Sequence, residues 1–99
     1  PKPTNKSEDR ARKRAEAEGR NARSRKRRKI EKEVHRLEKE IQTAEAKITE
    51  LTAELENPET YENPARAVAI NRDLTTAQTT LDCLTPDWEK AAEKLEALG

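Results

Sequence analysis

Asn57-Pro58-Glu59-Thr60-Tyr61-Glu62-Asn63-Pro64 decides how the chain folds, because it interrupts two long runs of heptad spacing. Pro58 ends any helix that reaches it, since its ring clashes with the preceding turn and it has no N–H to donate. Asn63 before Pro64 is a helix start: Asn caps, and Pro fits the first helical position, where no donor is needed.

Working back from this break, apolar residues stand at Ile30, Val34, Leu37, Ile41, Ala44, Ile48, Leu51 and Leu55. The steps alternate between four and three, which is the seam of a coiled coil. Working forward, Ala67, Ile70, Leu74, Ala77, Leu81, Leu84, Trp88, Ala91, Leu95 and Leu98 form a second seam. A short loop between two helices makes them antiparallel neighbours. Pairing the seams gives Leu55 with Ile70, Leu51 with Leu74, Ile48 with Ala77, Ala44 with Leu81, Ile41 with Leu84, Leu37 with Trp88, Val34 with Ala91 and Ile30 with Leu95. The residue numbers of every pair add to 125, and the centre of symmetry falls inside the Pro-flanked turn. The expected fold is all-α, an antiparallel two-helix coiled-coil hairpin. Its helices span 30–56 and 64–98 around a turn at 57–63, and Pro86 kinks the second helix or splits it into two pieces laid end to end.

Composition agrees. Hydrophobic residues make up 31% of the 99 and charged residues 41%, against about 45–50% and 25% in ordinary globular domains. Phe and Met are absent, so a layered core is out of reach, and a helical rod or a disordered chain remains. Two glycines exclude the Gly-rich phosphate loops of nucleotide-binding folds. Apolar runs are too short for a membrane span or a signal peptide. Cys83 and His35 are each the only residue of their type, too few for a disulfide or a four-ligand zinc site. The chain starts at Pro1 and has no Met, which reads as a segment of a larger protein.

A net charge of +1 conceals a division. Residues 1–29 carry thirteen Lys/Arg against four acids, net +9, and residues 30–99 carry eight against sixteen, net −8. The chain therefore divides into a basic arm, 1–29, and an acidic hairpin, 30–99. Extending the first seam backwards puts Arg27 and Arg23 at core positions, so packing should stop near Ile30. Pro1, Pro3, Thr4 and Asn5 suggest a disordered start. Beyond them the arm has the propensity for a frayed helical extension, with Arg12/Glu16 and Arg14/Glu18 as i,i+4 pairs.

The arm is the one stretch with chemical content. Arg12, Lys13, Arg14, Arg20, Arg23, Arg25, Lys26, Arg27, Arg28 and Lys29 are expected to neutralise phosphates of duplex DNA or structured RNA, with little sequence preference. No aromatic residue lies among them, so single-strand stacking is not offered. A solvated tail is the plainer reading, and basic arms also meet acidic proteins and membranes. Asn21-Ala22-Arg23-Ser24-Arg25 before heptads resembles a basic-region zipper, but the second seam satisfies the first within one chain, so a monomer suffices. A protein-interaction spacer, docking through Tyr61 or the acidic faces, is the alternative from another class. Catalysis finds no triad and no expected pocket. His35 and Cys83 fall on exposed positions, Trp88 on the seam, and Tyr61 is expected as a lid over the Leu55/Ile70 layer.

Arg14-Ala15-Glu16-Ala17-Glu18, Arg20-Asn21, Leu37-Glu38-Lys39-Glu40-Ile41, Leu55-Glu56-Asn57-Pro58-Glu59-Thr60-Tyr61, Trp88-Glu89 and Leu95-Glu96 together resemble the C-terminal region of ABC-F ATPases. Asn57 stands where that family usually has Asp. The resemblance implies a coiled-coil domain following two ATPase domains that use ATP and Mg, in a cytoplasmic protein acting on ribosomes. In Uup-like members it implies DNA binding by this domain. The chain itself is expected to be no enzyme and to hold no cofactor.

Overall fold

A computed structural model describes residues 6–99. Calling residues 1–5 a disordered start concerns positions outside the described ones. Helix α1 runs Lys6–Glu56, a short 3-10 turn spans Pro58–Glu62, and helix α2 runs Pro64–Leu98. The two long helices lie against each other as an antiparallel hairpin.

Every seam residue named above is buried or half-buried. Val34, Leu37 and Ala91 form a buried cluster, on which Ile30, Leu84, Trp88 and Leu95 pack. That cluster contains both members of three expected layers: Ile30/Leu95, Val34/Ala91 and Leu37/Trp88. Trp88 also reaches across the seam, its Nε1 donating to Glu38 Oε1 at 3.3 Å. Ion pairs line the exposed flanks. Arg36 bonds both Glu33 and Glu40, and Arg66 meets Glu54 at 3.2 Å across the turn.

The turn closes the end of α1 with side chains. Asn57 Oδ1 accepts from the Glu59 N–H at 3.1 Å, and Asn63 Oδ1 accepts from the Arg66 N–H at 3.4 Å. The last carbonyls of a helix have no partner within it. Here Thr60 Oγ1 donates to the carbonyl of Glu54, and the Tyr61 hydroxyl donates to that of Leu55 at 2.6 Å. Thr60, not Tyr61, is the buried residue of the turn, at 6% exposure against 58%. The expectation of Tyr61 as a lid over Leu55/Ile70 is thereby corrected. The ring stays in solvent because its hydroxyl is held by a backbone carbonyl on the surface.

Two further differences, and the course of α2, have physical causes. The first helix begins at Lys6 rather than near Ile30. Packing does stop where the seam turns cationic, but Ala11, Ala15, Ala17 and Ala22 among long Arg and Lys side chains are good helix formers and carry the helix on alone. α2 runs Pro64–Leu98 as one helix with Pro86 inside it, so of the two forms expected the single helix is the one found. Pro86 removes one backbone donor, while Thr85 Oγ1 bonds the Leu81 carbonyl at 2.9 Å. The rod also carries an open groove of about 670 Å³, where none was expected. It lies beside Ala44 and Ala77, whose small side chains leave room that Leu would fill, and Arg36, Glu40, Lys47 and Asp73 stand along its walls.

Candidate nucleic-acid interface

Most of the basic residues ride on the part of α1 that has no partner helix, while Lys29 at its inner end already lines a groove with Lys90, Ala91 and Lys94 of α2. From Lys6 to the Ile30 layer this is about 24 residues, or about 36 Å at 1.5 Å per residue. All ten named cations, Arg12 through Lys29, are exposed. They are brought onto one rigid element but not onto one face. At 100° per residue, Arg23, Arg25, Lys26, Arg27, Arg28 and Lys29 point around the whole circumference, forming a collar just above the packed hairpin. Arg14 and Arg20 lie toward one side with Lys6, Arg10 and Lys13, and Glu8, Glu16 and Glu18 keep to other directions.

The electrostatics leave most of this charge uncommitted. Among the described residues, Arg12 pairs with Asp9 at 3.4 Å and Arg27 with Glu31 at 3.0 Å. The other eight cations make no ion pair. The expected Arg12/Glu16 and Arg14/Glu18 pairs are not formed. Arg12 turns instead to Asp9, one turn nearer the helix start, where an acid also suits the positive end of the helix dipole. Both arm pairs are open to solvent and bind weakly. Gly19 sits in this segment with ordinary helical backbone, and a Cβ there would meet only the flexible end of Arg23 at 3.7 Å.

Elsewhere the chemistry is sparse. His35 and Cys83 are exposed. No group of three or more His, Cys, Asp or Glu among the described residues could hold a metal ion. No described helix is long and apolar enough to cross a membrane. Among the described residues, one exposed acid–base pair near the hairpin's open end is perturbed. The hydrogen bond from Arg36 holds the Glu33 carboxyl below its ordinary range, and the same pairing raises Arg36. Thr60 and Tyr61, the residues that finish α1, were missed as a pair. Asking which donors could serve the last carbonyls before Pro58 would have pointed to them.

The family model of the ABC transporter C-terminal domain matches residues 25–97. The match takes in the collar from Arg25 to Lys29 and the hairpin as far as residue 97, and leaves Arg12, Lys13, Arg14, Arg20 and Arg23 outside. No curated protein and no solved structure matches the chain.

Proposed function

Since this chain belongs to the ABC transporter C-terminal domain family, we propose that it serves an ABC-F ATPase as its nucleic-acid-binding domain. It would grip duplex DNA or structured RNA by the phosphates. Hydrolysis of ATP with Mg would belong to the parent protein's other domains, in the cytoplasm and on or near the ribosome. The observation that carries this reading is the basic stretch of α1 with its ten exposed cations, eight of them outside any ion pair. A polyanion gains affinity there by releasing counterions, and nothing needs to move first. The acidic hairpin repels phosphate, so contact is confined to the arm and the collar.

The test is a salt titration of binding to duplex DNA, structured RNA and single strands. If about six cations each meet a phosphate, log affinity falls with log salt at a slope of about −5 on duplex DNA. Replacing Arg25, Arg27 and Arg28 with Ala weakens binding uniformly across sequences and flattens the slope by about 2–3 units, with helix content unchanged. Binding without salt dependence, or undiminished by the triple replacement, would overturn the reading. A strong preference for structured RNA would place the domain's work on the ribosome.

A further inference from the structure

The whole charge imbalance of this chain is laid out along one straight rod. Residues 6–29 of α1 hold twelve Lys/Arg and four acids, net +8. The hairpin, 30–99, holds eight and sixteen, net −8. α1 is continuous from Lys6 to Glu56, with no proline in it and no glycine with positive φ. The basic segment therefore cannot fold back onto the acidic hairpin of its own chain. Both charges are left facing outward, and the geometry prevents either from neutralising the other within one molecule.

We infer that two copies of this chain pair side by side and antiparallel, the basic segment of each lying along the acidic hairpin of the other. Three observations favour a second copy as the occupant. The charges are equal and opposite, so reciprocal pairing leaves little excess. The lengths agree: 24 basic residues extend about 36 Å, and residues 30–56 extend about 40 Å. A two-fold axis across the middle of α1 satisfies both ends at once, so the assembly closes as a dimer and does not grow into a filament. The heptad seam takes no part, since it is already filled within each hairpin. The monomer expected from the seam is the form this pairing leaves at high salt, where the charges are screened. Nucleic acid and the second copy use the same cations, so each excludes the other.

Sedimentation velocity on the full chain tests this. At about 20 mM salt, with a Debye length of roughly 20 Å, the mass is twice that of one chain at high concentration. At about 500 mM, with a Debye length of roughly 4 Å, it falls to that of one chain. Two variants separate the surfaces. One carries Arg25→Gln, Arg27→Gln and Arg28→Gln, and the other Glu45→Gln, Glu50→Gln and Glu56→Gln, all at exposed positions. Each alone pairs at least about tenfold more weakly than the parent. Their mixture forms a mixed pair, because one intact arm meets one intact hairpin. A parent that stays single at low salt, a pair that survives high salt, or variants that fail to pair when mixed would each overturn the inference. These measurements contain no nucleic acid, so their failure leaves the phosphate-binding reading standing, and a failed titration with nucleic acid leaves the pairing standing.

Discussion

Replacing Leu37 with Ala tests the packing of the hairpin where it is densest. Leu37 is 2% exposed, lower than any other core residue. It belongs to a cluster with Val34 and Ala91, covered by Ile30, Leu84, Trp88 and Leu95. The substitution removes three carbons from water-free surroundings, about 2.4 kcal/mol at roughly 0.8 per carbon. If about 40 Å³ of the vacated space stays unfilled, about 1 kcal/mol is added at roughly 24 cal/mol per Å³. A loss of about 3 kcal/mol is thus expected. A two-helix rod without disulfide or metal has only a few kcal/mol to lose, so much of the hairpin should unfold. Urea denaturation followed by far-ultraviolet circular dichroism measures this. Val68→Ala is the control, since Val68 is 59% exposed and its loss should change stability by no more than about 0.5 kcal/mol. Equal midpoints for the two variants would refute the packing described here.

Labels at positions 41 and 84 should lie within about 10 Å of each other inside one chain, the spacing of packed helix axes, even at high dilution. A distance between 41 and its copy in a second chain would favour a zipper instead. Thr60→Val removes a part-buried bond to the Glu54 carbonyl, which keeps the Asn57 N–H, and should cost about 1 kcal/mol in thermal denaturation, more than Tyr61→Phe, whose bond is open to water. An equal cost would mean that burial of Thr60 is not what matters. Glu33 is held charged by Arg36, so the pair's contribution is complete above the ordinary carboxylate range and fades as pH falls through the lowered value. Arg36→Gln should shift the Glu33 titration upward by NMR, and an unmoved midpoint would show that the bond is not kept in solution.

The two seams and the Pro-flanked turn were readable because each follows from steric rules that act locally: periodicity for the helices, ring geometry for Pro58 and Pro64. The antiparallel register came from pairing alone, and Trp88 over Leu37 bears it out. The finish of α1 was harder to read. Thr60 and Tyr61 look equally able to face the core, and what separates them is which carbonyl each can reach after one 3-10 turn. The groove beside Ala44 and Ala77 follows from volumes facing each other across the seam, which spacing does not report. The ten cations of the arm were evident from charge. The placement of six of them as a collar on one continuous helix was not, because propensity favours a helix in residues 10–29 without saying whether it joins the one beyond.

The turn at 57–63 also governs how the chain can assemble itself. Leu55 and Ile70 are only about 15 residues apart along the chain, whereas Ile30 and Leu95 are about 65 apart. Loop-closure entropy grows with the logarithm of that separation, roughly 0.6 kcal/mol for each doubling. The layers beside the turn are therefore cheapest to close, and each one formed shortens the loop left for the next. The hairpin should zip from Thr60 outward in one direction. Unzipping should run the other way, starting where Ile30 meets Leu95, so amide hydrogens near that open end exchange first and those near Leu51 and Ile70 last.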